Sequence, residues 1–165
     1  MRPALRQLKD RHNLVGAEIG VFYGENALDF LKNLDIKKVY LIDPYFKLEG
    51  VEKEAHERLE LYKNKIEWVR LPSSKAINNF DNESLDFAYI DGEHNYKCVF
   101  EDIILYYPKV KKGGLFSGHD YDCRKETEVI LAVNDFVKKH NLNLNTQKGG
   151  NRQEASNRTD WWIWK

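Results

Sequence analysis

No apolar run in this chain approaches the roughly 18–20 residues that a membrane span needs. The opening MRPALRQLKDRHN has no apolar core of the kind a secretory leader carries. Neither sign of charge is in excess, with 26 basic residues against 26 acidic ones. A dedicated nucleic-acid binder usually shows a basic surplus, so the balance argues against that partner while leaving room for a local patch. Cysteine is scarce: Cys98 and Cys123 are far apart and lack metal-ligand spacing. Free thiols in a reducing compartment fit them best, which makes the cytoplasm the expected location. Internal repeats, low-complexity tracts and interdomain linkers are missing too. Residues 1–165 are therefore expected to form one domain, and 42% apolar content is enough for its core.

What is there is an alternation of short apolar runs and amphipathic segments. Leu5 and Leu8 predict a leading helix over 3–12. Apolar runs at 15–22, 38–43, 66–71, 85–92 and 115–120 read as five strands. Helical spacing fills the gaps at 25–34, 51–63, 73–80 and 96–110, with a long helix at 126–140 after the fifth strand. The fourth gap ends at the glycine stop of Lys111 to Gly114. Five strand–helix units predict a doubly wound α/β fold, a mostly parallel sheet with helices on both faces. LNLNT and WWIWK have no helix between them and are expected to pair antiparallel at one sheet edge. Trp161, Trp162 and Trp164 read as core residues of that last strand. The polar stretch GGNRQEASNRTD is expected to be mobile.

The stretch GAEIGVFYGEN over 16–26 places Glu18, Gly20 and Gly24 at the end of the first strand. In such sheets ligands bind at the carboxyl ends of strands, where the winding reverses. Gly20 and Gly24 would let the turn approach a ligand without a Cβ in the way. Asp43, 19 residues after Gly24, is placed to accept hydrogen bonds from both hydroxyls of a ribose. A dinucleotide fold wants glycine at the middle position, where this chain has Phe22. Phe22 crowds a pyrophosphate, and Glu18 repels one. A cationic ligand fits better, and a sulfonium with an ammonium group is such a ligand.

EIGVFYGENAL, LIDPY, LDFAYIDGEHNYKCVFEDI and VKKGGLFSGHDY together resemble the class I S-adenosylmethionine-dependent methyltransferases. Within these, the chain looks like the macrocin-type and related sugar or antibiotic O-methyltransferases, over about residues 14–140 plus WWIWK. The resemblance implies a Rossmann-like seven-stranded sheet with the last strand inserted antiparallel. It implies cofactor contact at Glu18, Gly20, Asp43, Ser73 and Ser74, and Phe22, Gly24 and Asp91 are further candidates for cofactor contact. It also implies transfer of a methyl group to a hydroxyl of a small molecule, a sugar being one candidate. The long helical region that often covers the acceptor site in that group is not expected here. A homo-oligomer is compatible with this reading, and a membrane partner is not.

Asp91 follows the fourth predicted strand and Asp120 the fifth. Neighbouring strands lie about 4.8 Å apart, so the two carboxylates can converge on one ion. Hard oxygen ligands suit Mg²⁺, which acids at these strand ends hold in metal-dependent relatives. His119 is a further candidate ligand, although imidazole is softer than Mg²⁺ prefers. His119, His94 and Asp120 are the candidates for proton transfer from the acceptor. Glu93 and Asp122 read as solvated acids. Two other readings stay open, an NAD-binding Rossmann-like domain and a non-catalytic module on the same fold.

Overall fold

The computed structural model describes residues 1–46, 48–121, 127–148 and 159–165. Cys123, Asp122 and most of GGNRQEASNRTD lie outside the described residues. Seven strands form one sheet: β1 (Leu14–Ile19), β2 (Ile36–Ile42), β3 (Ile66–Val69), β4 (Leu85–Ile90), β5 (Val110–Gly118), β6 (Asn145–Lys148) and β7 (Thr159–Trp164). Their order is β3-β2-β1-β4-β5-β7-β6. The pairs among β1 to β5 are parallel, and β7 runs antiparallel to both β5 and β6. The expected doubly wound sheet with an antiparallel final pair is the observed one. The winding reverses between β1 and β4.

Strand residues point alternately to two cores. Phe87 and Tyr89 of β4 join one with Phe30, Leu31 and Leu59, and Ala88 and Ile90 join the other with Val99, Ile103 and Phe136. The first face is covered by α1 (Pro3–Arg6), α2 (Glu25–Asn33) and α3 (Glu49–Leu59). The second is covered by α4 (Ser73–Ala76), α5 (Tyr96–Tyr106) and α6 (Thr127–His140). Trp161, fully buried, packs edge-on against Phe116 with ring centroids 5.5 Å apart. Burial of a side chain that large contributes roughly 2–3 kcal/mol. Trp161 and Trp162 are thus core residues as expected, while Trp164 is partly exposed.

Several boundaries differ from the expectation. The helix expected over 96–110 stops at Tyr106, and a 3-10 turn carries Pro108. Lys111 to Gly114 is therefore not a helix stop but the first part of β5. Leu85 pairs with Val110 and Phe87 with Leu115, so this segment bulges out of register. Gly113 supplies the left-handed backbone that the bulge requires, at φ 72. The leading helix is a single turn, and β6 takes the polar NTQK instead of LNLNT. Among the described residues no helix is long and apolar enough to cross a membrane.

Candidate active site

A cavity of about 1040 Å³ opens over the carboxyl ends of β1, β2, β4 and β5, at the reversal of winding. The turn after β1 forms one wall. Gly20, Phe22 and Gly24 all have left-handed backbone, at φ 85, 50 and 72. The strain at Phe22 is held from three sides. Asp43 Oδ2 accepts from the N–H of Val21 and of Phe22, at 2.9 and 3.0 Å. The Tyr45 hydroxyl donates to the Phe22 carbonyl at 3.0 Å. Arg58 donates to the Tyr23 carbonyl. Asp43 Oδ1 accepts from Tyr45 N–H at 2.8 Å. Asp43 lines the cavity, and its carboxylate serves as the brace of this turn. The N–H pair that could cradle a phosphate is already filled by the chain's own acid.

Gly20 lines the cavity and Gly24 does not, and both meet packing demands as well. A Cβ on Gly20 would lie 2.2 Å from the Asp91 carbonyl oxygen, so glycine here lets the turn pack against the end of β4. Gly24 is not part of the cavity wall. It starts α2, and a Cβ there would meet Leu59 at 2.9 Å. Phe22 stands at the cavity rim, 53% exposed. Ser73 and Ser74, at the start of α4, also line the cavity.

Glu18 forms the floor and is only 1% exposed. Its Oε1 accepts from the Asn26 side chain at 2.7 Å, and its Oε2 is buried without a hydrogen-bond partner. Burial pushes its pKa up from 4.5 to about 8. The Asn26 bond opposes the shift, and the nearby Asp91 adds to it. Burial also raises Asp91, with Asp120 adding to the shift and the Arg2 guanidinium opposing it.

The two strand-end acids do converge. Ligand atoms of Asp91, His94 and Asp120 lie within 4.8 Å of one another, and His94 Nε2 is 2.8 Å from Asp120 Oδ2. His119, expected beside them, lines the same cavity but is not one of the three. Its Nδ1 lies 2.9 Å from Asp160 Oδ1, its Nε2 meets the Arg2 guanidinium, and Nε2 is 3.6 Å from Asp120. A carboxylate only accepts and a guanidinium only donates. His119 is therefore the neutral tautomer with its proton on Nδ1, and neither ring nitrogen is available to an ion.

Three residues escaped the sequence reading. Arg2, which precedes α1, reaches the cavity and lies 3.8 Å from Asp91. Asp160 of β7 is fully buried and also accepts from Tyr89 O–H and Ala4 N–H. Asp102 of α5 lines the cavity wall, and burial pushes its pKa up to about 6. None of the three sits in a local pattern that marks a site.

Fold and cavity define a doubly wound α/β domain with its ligand cleft at the switch point and acids at four strand ends. The model of the methyltransferase domain family matches residues 17–121, from β1 to just past Asp120, and the chain belongs to that family. An uncharacterised protein of Acanthamoeba polyphaga mimivirus is 31% identical over 137 residues. That alignment covers 78% of this chain and 61% of the relative, so the chain spans about three-fifths of the relative's length. Among solved structures, the O-methyltransferase TomG from Streptomyces achromogenes, in complex with S-adenosylmethionine, is similar with a TM-score of 0.73 at 12% identity. The match covers 98% of this chain and 77% of TomG. Spermidine synthase from Thermotoga maritima is similar with a TM-score of 0.72 at 16% identity, over 99% of this chain and 57% of the synthase. At such identities the likeness is one of fold.

Proposed function

We propose that the cavity binds S-adenosylmethionine and that the protein transfers its methyl group to a hydroxyl of a small molecule. The observation that carries this reading is the Glu18 carboxyl on the cavity floor, with one oxygen buried and unpartnered. A buried acid with a free oxygen gains by ionising beside a cation, and an anionic phosphate offers it no such gain. The dinucleotide reading loses its anion cradle as well, because Asp43 occupies the N–H groups of the turn. When bound, S-adenosylmethionine supplies an activated methyl group. The chain's own part is to orient the cofactor and acceptor and to take up the acceptor's proton.

Asp91, His94 and Asp120 fit a divalent ion, since two carboxylates and one imidazole already share a site within reach of a single ligand sphere. An ion held there would lower the pKa of an acceptor hydroxyl. The imidazole tilts the preference from Mg²⁺ toward Mn²⁺ or a similar ion. Where no ion is held, His94 is the cluster's base instead, with side-chain exposure of 35% giving it access to the acceptor.

The test is release of S-adenosylhomocysteine from S-adenosylmethionine over a panel of sugar and catechol acceptors, with Mg²⁺, Mn²⁺ or EDTA. Turnover that needs the ion and is lost in the double variant Asp91→Asn, Asp120→Asn supports the whole reading. Full turnover in EDTA would reject the ion and leave His94 as the base. Failure of S-adenosylmethionine to bind in calorimetry would reject the reading outright.

A further inference from the structure

Arg2 is out of place for a residue next to a cation site. It comes from the segment ahead of α1, yet its guanidinium enters the cavity between His119 and Asp91. Its seat is fixed from the far side. Asp160 holds His119 by Nδ1, which leaves Nε2 as an acceptor, and Arg2 Nη1 donates to it. Ala4 N–H donates to the other oxygen of the same Asp160, so the segment that carries Arg2 is pinned to β7 within two residues of it. The other guanidinium nitrogen, Nη2, points to Asp91 at 3.8 Å. Asp91 is also one of the three members of the Asp91, His94 and Asp120 cluster. A guanidinium keeps its charge at any ordinary pH. One carboxylate thus faces a permanent internal cation and the place of a divalent ion.

We propose that Arg2 is a resident cation that competes with a divalent ion for Asp91 and so sets how tightly this site takes metal. The proposal rests on the reading of Asp91, His94 and Asp120 as an ion site. Both cations gain from the same carboxylate, and they repel each other. Within a few ångströms, a single and a double positive charge in a solvated cleft should weaken ion binding about ten- to a hundredfold. The bond to His119 gives Arg2 a second anchor when an ion displaces it from Asp91. Metal occupancy and the docking of the segment ahead of α1 are then coupled through one side chain.

The experiment is Mn²⁺ binding followed by electron paramagnetic resonance and calorimetry, on the intact protein and on Arg2→Met, Arg2→Lys and Arg2→Met with Asp91→Asn. Arg2→Met should bind Mn²⁺ at least tenfold more tightly than the parent. Arg2→Lys keeps the charge and should stay within about threefold. The added Asp91→Asn should remove the gain. Equal or weaker binding by Arg2→Met, an equal gain by Arg2→Lys, a gain that survives Asp91→Asn, or no Mn²⁺ binding by any variant would each overturn the proposal. Thermal shift with S-adenosylhomocysteine on the same variants reports folding and the cofactor site separately. A Mn²⁺ gain without that shift would sink the methyltransferase reading and leave the role of Arg2 standing.

Discussion

Burial at the end of β1 takes the charge from Glu18, because its carboxyl sits at about pKa 8 in place of 4.5. The folded chain then holds this proton more tightly than the unfolded chain. On this account stability without ligand is greatest below about pH 4.5 and falls as pH rises through about 8, by up to about 4–5 kcal/mol. A cationic ligand reverses the preference by favouring the ionised form. S-adenosylmethionine should therefore expel a proton from the site near pH 7, and its affinity should rise with pH up to about 8. Calorimetry in two buffers of different ionisation enthalpy measures that proton directly. Glu18→Gln should abolish the release and flatten the pH dependence. Undiminished release in Glu18→Gln would place the titrating group elsewhere. Asp91 and Asp102, the latter at about 6, are the other raised acids in the wall.

The turn from β1 to α2 works as one element, and Asp43 is its brace. Asp43→Ala removes three bonds to backbone N–H groups at 2.8–3.0 Å. The variant should lose about 2–4 kcal/mol of stability together with cofactor affinity. Urea denaturation beside calorimetry checks both. Full stability with binding alone lost would make Asp43 a ribose ligand and not a brace. Gly20→Ala should be destabilised as well, since φ 85 and the contact with the Asp91 carbonyl both oppose a side chain. Its melting temperature would fall even where no ligand is added. The parallel strands were legible because each is a short apolar run with a helix-spaced segment behind it. The bulged start of β5 was not, because a lysine pair followed by two glycines reads locally as a helix end. Polar β6 carries no alternation, and its place is decided by pairing with β7. Within the site, the strand-end acids were legible from position alone. Arg2 and Asp160 were not, because their significance arises only when β7 docks beside β5 and brings residues 156 apart into contact.

At the scale of the molecule, ligand and fold share one free energy. A compound that binds only the folded chain stabilises it by about 2.7 kcal/mol at a hundred times its Kd. For a chain of this size that corresponds to a rise in melting temperature of about 5–10 °C. S-adenosylhomocysteine should produce such a rise and NAD should not. A rise with NAD would restore the dinucleotide reading, and no rise with either would favour a non-catalytic module. The order of the sheet also has a bearing on timing. β7 is last in sequence yet lies inside the sheet, between β5 and β6. Until it arrives, the outer edge of β5 has unpaired backbone groups, which invite pairing with another chain. The carboxylate that seats His119 and Arg2 is missing at that stage too. During synthesis β1 to β5 can associate first, and the finished pocket comes only with the last insertion. Such long-range closures are the slow steps of folding. A chain in which β7 is not yet docked would therefore be exposed to misassembly at the β5 edge, and competence to bind ligand would appear abruptly once β7 threads into place.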